Sequence, residues 1–257
     1  MIQNFWKYIL IIFLFSSNLK STEYEITILA TNIANFGGIG EWSFSALLES
    51  EEESILFDTG FDENTVLHNA NLLQKDLSRV EKVILSHFHG DHTGGLIKLR
   101  QTYMNTNPKA FRNVYVAEGF FDQRFDENGE LRGFIGGFNK VSDFKKQAED
   151  IGIEFIIIND SYEIAHNLIL SGPVERIFER VVVSPGFYLK ENGVLVEDLI
   201  RDDQSLGIKT DKGWYMMSGC GHAGMMNTAH KFHKIENRDV YGAIGGFHLY
   251  RSSDEVI

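Results

Sequence analysis

Between His87 and His92 the chain carries three imidazoles and a carboxylate, in Ser86-His87-Phe88-His89-Gly90-Asp91-His92-Thr93-Gly94-Gly95. Neutral imidazole and carboxylate are ligands for zinc, and also for iron or manganese. One metal takes three or four ligands. Four in one segment, with further candidates elsewhere, therefore point to two metals. The segment follows an apolar run, Lys82-Val83-Ile84-Leu85, that reads as a buried strand, and precedes Gly94-Gly95-Leu96-Ile97, where a helix can start. Ligands at the carboxyl end of a strand, ahead of a helix, lie where α/β proteins place their chemistry.

Three further motifs share this setting. Asp58 closes an apolar strand in Phe57-Asp58-Thr59-Gly60. His222 follows the strand Trp214 to Met217 in Ser218-Gly219-Cys220-Gly221-His222-Ala223-Gly224. His248 follows the strand Val240 to Ile244 in Gly245-Gly246-Phe247-His248-Leu249. The glycines allow tight turns and close backbone approach. His68, His166, His230 and His233 have no such company and read as ordinary core or surface groups. Cys220 lies two residues from His222, but reads better as a small buried residue at a crowded strand end. Arg176 and Arg180 are suited to a phosphate or to a solvated surface, and stay outside the site. Phe120, Phe121, Phe125, Phe134 and Phe138 fit a pocket wall and a local mini-core equally well.

The elements that must position these residues follow from periodicity. Glu25 to Ala30, Trp42 to Glu49 and Ser54 to Phe57 read as strands of an opening β-meander, and Asn64 to Leu73 as a helix. Gly94 to Tyr103 is predicted helical and Val114 to Ala117 a short strand. Glu118 to Asn139, rich in Phe, Gly and charge with no clear period, reads as a surface excursion near the site. Ser142 to Ile151 is predicted as a helix capped by Ser142 and ended by Gly152. Glu154 to Ile158, Ala165 to Leu170 and Val181 to Val183 read as strands. Ser205 to Thr210 and Gly213 to Met217 form a predicted hairpin across Asp211-Lys212. Asn227 to Ile235 is a helix and Val240 to Ile244 a last strand. This order suggests two packed sheets covered by helices.

Composition narrows the classes. The 257 residues are 43 % apolar, enough for a sizeable core, and the net charge of −12 argues against nucleic-acid binding as the main task. A small-molecule substrate, including an anionic one, stays compatible because two metals bring their own positive charge. The single cysteine permits no intrachain disulfide. At the N-terminus, Lys7 precedes the apolar run Tyr8 to Phe15 and the polar Ser16-Ser17-Asn18. Residues 1–21 thus have the layout of a secretory signal peptide, and imply an exported, periplasmic or secreted protein with no stable membrane span after cleavage. An uncleaved anchor or a buried first helix are the other readings. Residues 22–257 form the remaining domain.

The pattern H-x-H-x-D-H after a strand, with Asp-Thr-Gly upstream and Gly-His downstream, resembles the metallo-β-lactamase superfamily. The strings VILSHFHGDHTGGL, DDQSLGIKTDKGWYMMSGCGHAGMMNT and GGFHL, in that order, are similar to its branch of dihydropterin-methyl-ribofuranosyl-aminobenzene phosphate synthases, also described as metal-dependent hydrolases. The resemblance runs from about Glu25 to about Leu249. It implies an α+β four-layer αββα sandwich and two divalent metal ions, zinc first and iron or manganese next. On this carry-over His87, His89 and His222 hold one metal, and Asp91, His92 and His248 the other. Two metals roughly 3.5–4 Å apart then share a hydroxide, which attacks a phosphodiester, lactone or related ester. Asp91 orients that hydroxide or takes a proton, and Asp58 accepts from a ligand imidazole and fixes its tautomer. A pterin-type synthase and a non-catalytic metal-binding protein are the alternatives. His248 stands where most of the superfamily has a bridging aspartate, and a further histidine is expected later. Ser252 and Glu255 have capping-box spacing just before the sequence stops, so the expectation is a truncated chain lacking its closing strand and helix.

Overall fold

The computed structural model describes residues 23–178 and 186–249. The leader region 1–21, the strand expected at Val181 to Val183, Arg180 and the helix start expected at Ser252 lie outside these residues. Among the described residues no helix is long and apolar enough to cross a membrane.

The first sheet has six strands in the order β1 Glu25–Ala30, β2 Ser45–Glu49, β3 Ser54–Phe57, β4 Val80–Ile84, β5 Asn113–Ala117 and β6 Glu154–Ile158. Its first three strands are the expected antiparallel meander; from β3 onward the pairing is parallel. Helices α1 Thr65–Leu72, α2 Gly90–Thr93, α3 Leu96–Tyr103 and α4 Val141–Asp150 make the crossovers. Successive strand residues point to opposite faces, and both faces are apolar. Leu47, Leu56, Val83 and Val114 pack with Val66 of α1, Leu96 and Leu99 of α3 and Phe144 of α4. Ala46, Leu48, Ile55, Phe57 and Ile84 face the second sheet.

That sheet is completed by β7 Tyr162–Ala165, β8 Leu168–Leu170, β11 Ser205–Thr210, β12 Gly213–Ser218 and β13 Val240–Gly245, ordered β13-β12-β11-β8-β7. A small ribbon, β9 Tyr188–Glu191 and β10 Val194–Glu197, stands apart from it. Ile164, Leu168, Leu170, Leu206, Ile208 and Met217 meet the first sheet in one core. On the outer face Trp214 and Met216 pack against Phe232 of α5 Met225–Ile235. Helices, sheet, sheet, helix: the layers are those of the expected αββα sandwich.

Several local expectations are corrected. The segment Ala165 to Leu170 is a hairpin and not one strand, because Asn167 adopts φ +64 and turns the chain between β7 and β8. Asparagine tolerates this region better than most residues. Ser142 does not cap α4; Lys140 holds that position, and the Ser142 hydroxyl meets Asp143 instead. The helix expected from Gly94 is split, with α2 already formed at Gly90 and α3 beginning at Leu96. The second strand starts at Ser45, three residues later than its apolar pattern. The ribbon β9–β10 was not expected at all; its strands are short and half exposed.

Candidate metal centre

Four strands deliver the candidate residues to one end of the sandwich. Strands β3 and β4 run parallel, as do β12 and β13, so their carboxyl ends point the same way. Asp58 leaves β3, Ser86 to His92 leave β4 through α2, Gly219 to His222 leave β12, and Gly246 to His248 leave β13. Asp58 and His248 both adopt positive φ, +55 and +48. Such backbone strain in residues other than glycine clusters at functional sites.

All seven residues singled out in the sequence come to this place. Ring centroids lie 4.6 Å apart for His87 and His89, 4.5 Å for His87 and His92, 4.8 Å for His87 and His222, and 4.6 Å for His222 and His248. Asp91 Oδ2 is 3.5 Å from His92 Nε2. Among the described residues, donor atoms within 4.8 Å of one another form three groups: His87, His89 and His222; His87, His92 and Cys220; Cys220, His222 and His248.

These residues fit divalent metal. His89 Nε2, Asp91 Oδ1 and both ring nitrogens of His222 are buried with no hydrogen-bond partner among the described residues. Buried polar groups without partners are rare, and an ion is one of the explanations they demand. Burial, then the facing imidazoles, holds His87 and His222 well below the usual histidine value. Burial likewise lowers His89 to about 3. All three are therefore neutral near pH 7, the form that ligates metal. Burial works against the Asp91 carboxylate, but His92 and His89 hold its pKa below the usual value.

Asp58 organises the imidazoles. Its fully buried carboxylate accepts from Ser86 N at 2.7 Å, from Ser86 Oγ at 2.8 Å and from His92 Nδ1 at 2.7 Å. Ser86 Oγ also lies 2.9 Å from His87 Nδ1. With its proton committed to Asp58, the hydroxyl can only accept from His87 Nδ1–H. One carboxylate thus orients two rings, turning Nε2 of His87 toward His89 Nδ1 at 2.9 Å and Nε2 of His92 toward Cys220 Sγ. Gly219 makes room for this arrangement: a Cβ there would stand 2.0 Å from Ser86 Oγ and 2.7 Å from Asp58 Oδ2. Gly219→Ala is therefore expected to weaken metal binding roughly 10–100-fold, as loss of an outer-shell partner does. Isothermal titration with zinc checks this, and wild-type affinity in a folded variant would contradict it. Gly94 and Gly95 have a similar task, since a Cβ at Gly94 would meet Phe61 O at 1.9 Å.

A further set of supporting residues has no counterpart in the sequence motifs. Asp202 Oδ2 accepts from Phe88 N at 2.8 Å, Asp203 Oδ2 from Ala223 N at 2.7 Å, and Gln204 Nε2 donates to Leu85 O at 3.0 Å. Three consecutive side chains thereby tie the His87–His92 loop to the His222 loop. Burial pushes Asp202 up to about 6 against the pull of Arg124, and Asp203 up to about 7. Arg124, itself buried, donates to Asp202 at 2.8 Å and Asp198 at 2.9 Å and lies 3.7 Å over the Phe88 ring. A run of two carboxylates and an amide beside an apolar strand was the available signal.

Cys220 stands half-buried just after the end of β12, the crowded strand end expected of it. Its Sγ lies 3.1 Å from His92 Nε2, among imidazoles and not in an apolar core. The aromatic excursion divides: Phe120 is core, Phe121 and Phe138 pack against that core, and Phe134 lines a cavity of about 400 Å³ above the imidazoles. His89, Asp91, Cys220 and His248 form the cavity floor, and Trp42, Phe61, Phe134 and Phe187 its walls, with Arg132 at the side. Arg176 is half-buried and donates to Leu199 O and Ile200 O, so it serves the backbone.

Comparison with known proteins agrees with this architecture. The family model of the metallo-beta-lactamase superfamily matches residues 43–158. The 7,8-dihydropterin-6-methyl-4-(beta-D-ribofuranosyl)-aminobenzene-5'-phosphate synthase of Methanocaldococcus jannaschii is 31% identical over 249 residues, 93% of this chain and 82% of that protein. An uncharacterized protein of the same organism is 28% identical, covering 90% of this chain and 82% of its own. The crystal structure of Tm1679, a metal-dependent hydrolase of the beta-lactamase superfamily, superimposes with a TM-score of 0.71 at 27% identity over 91% of this chain and 80% of that one. On its fold, its site and these relatives, the chain belongs to the metallo-beta-lactamase superfamily.

Proposed function

We propose that this protein is an exported metallo-hydrolase with two divalent ions, zinc by preference, acting on a small anionic ester, lactone or phosphodiester. The observation that carries the reading is the set of buried, neutral imidazoles whose unpartnered nitrogens lie beneath an open cavity. His87, His89 and His222 would hold one ion, and Asp91, His92 and His248 the other. When bound, such ions supply Lewis acidity and acidify water to near neutrality. The rest is the work of side chains. Asp58 and Ser86 hold the imidazoles in their ligating tautomers. Asp91 Oδ1, on the cavity floor, orients the attacking water and takes its proton. The aromatic walls seat an apolar substrate body and exclude bulk water. Arg132 keeps donors for a substrate anion beyond the one it gives to Gly186 O.

The 31% identical relative supports a second reading, a synthase joining an aminobenzene ribosyl phosphate to a pterin. The signal-like leader of residues 1–21 favours the first, which is proposed as exported. Turnover in water labelled with oxygen-18 separates the two, because only a hydrolase places solvent oxygen in its product. The zinc-loaded protein is expected to hydrolyse members of an ester, lactone and phosphodiester panel with label incorporation. Arg132→Ala should raise KM for the anionic substrates and leave neutral ones unchanged. A metal-loaded protein inert across the panel would sink the hydrolase reading.

A further inference from the structure

The ligand sets proposed above leave out one member of the cluster. Cys220 Sγ belongs to two of the three donor groups, with His87 and His92 and with His222 and His248. It therefore stands where the two halves of the centre meet. Its Sγ lies 3.1 Å from Nε2 of His92, the ring that Asp58 holds through Nδ1. A second, independent observation points to a ligand: Asp91, 8 % exposed and lining the same cavity floor as Cys220, has its Oδ1 buried with no hydrogen-bond partner among the described residues. A cysteine kept for packing would sit among apolar side chains. This one is on the floor of the cavity beside Asp91 and His248.

Building on the dinuclear reading, we propose that Cys220 is itself a metal ligand, coordinating as thiolate the ion held by Asp91, His92 and His248. On binding, the thiol releases its proton to solvent and the sulfur lone pair forms the bond to the metal. That set then has four protein donors, one of them soft. Thiolate selects zinc, and cobalt as its probe, over magnesium, calcium or manganese. The centre would thus be asymmetric, with one imidazole-only ion and one bound by sulfur, nitrogen and oxygen.

Cobalt substitution tests this, because Cys220 is the only cysteine of the chain and any thiolate signal is its own. The wild-type protein titrated with cobalt(II) is expected to show a near-ultraviolet sulfur-to-cobalt charge-transfer band together with the visible d–d bands. Cys220→Ser should keep the d–d bands, lose the charge-transfer band, and bind the second equivalent weaker by more than the roughly 10–100-fold typical of an outer-shell partner. Cobalt-loaded wild type with d–d bands and no sulfur band would overturn the assignment while sparing the metal centre. No cobalt uptake at all would overturn the metal-centre reading and this inference with it. Should the serine variant fail to fold, the wild type suffices. Two equivalents of zinc should slow alkylation of the thiol by iodoacetamide roughly tenfold or more, since the metal-bound thiolate is withdrawn from attack. Equal rates with zinc and with chelator would refute the ligand role.

Discussion

Asp58→Asn is expected to weaken metal binding by roughly 10–100-fold while leaving the fold in place. The substitution is isosteric, so packing at the end of β3 survives. The hydrogen-bond logic does not. The aspartate accepts three bonds, from Ser86 N, Ser86 Oγ and His92 Nδ1. An asparagine can keep its oxygen toward Ser86 N, but its amide then faces His92 Nδ1 and Ser86 Oγ as a donor. The His92 ring must switch tautomers to accept, which places its proton on Nε2, the nitrogen turned toward the cluster. Ser86 Oγ, now accepting from the amide, must turn its own proton toward His87 Nδ1, which forces the same switch there. One side-chain oxygen replaced by nitrogen therefore places a proton on Nε2 of both His87 and His92. Metal content after dialysis, with circular dichroism to verify folding, reads out the effect. An asparagine variant that retains its full complement of metal would show that Asp58 does not set the tautomers.

The parts of this site that were legible in the sequence share one property: their neighbours are close along the chain or mark a strand end. His87 to His92 announce themselves by spacing alone. Asp58, His222 and His248 each follow an apolar run and sit beside glycine, so the strand that delivers them could be read with them. The supports were not legible, because their partners are remote. Asp202 meets Phe88 across 114 residues, and Arg124 meets Asp202 across 78. No local pattern distinguishes such a carboxylate from a solvated surface charge. Cys220 shows the same difficulty at short range. Its place two residues before His222 fits both a packed and a ligating thiol, and the approach of His92, 128 residues away, leaves no mark along the chain.

The fold was legible to a similar depth. Runs such as Ser54–Phe57 and Glu154–Ile158 matched their strands because both faces of a parallel sheet are covered and the apolar signal is continuous. Failures occurred where hydrophobicity continues through a turn. Ala165 and Leu168 flank the hairpin bend, and apolar residues on both sides concealed it. The ribbon β9–β10, with its exposed Val194 and charged ends, carries too little burial to stand out. Yet its neighbourhood matters to the site: Phe187, just before β9, packs 5.4 Å from His89, and Tyr188 pairs with Phe125 of the excursion. The excursion and the ribbon together bring Arg124 and Phe134 to the metal loop.

Arg124→Met is expected to be the most destabilising single change near the site, by about 3–5 kcal/mol, because it leaves buried carboxylates without their counter-charge. Arg124, Asp198 and Asp202 are each at most 1 % exposed, so water cannot take over the task. The loss should also depend on pH, with a definite sign. Burial already lifts Asp202 to about 6 and Arg124 restrains it, so removing the guanidinium raises that pKa further above the unfolded value of about 3.9. A carboxyl whose folded pKa is raised favours the folded state while protonated. Its contribution is complete below the unfolded pKa and is lost as pH rises through the folded one. The gap in urea midpoint between variant and wild type should therefore be narrow near about pH 5 and wide near about pH 8. Adding Asp202→Asn to the variant removes one stranded charge while keeping an oxygen for Phe88 N. The double variant should recover much of the loss and flatten its pH dependence, the coupling expected of residues in direct contact. Equal gaps at both pH values, or a double variant no more stable than Arg124→Met, would show that the triad is incidental to the loop. If instead the expected pattern appears, metal affinity should fall with stability, since Phe88 lies between His87 and His89 and its backbone is held by Asp202.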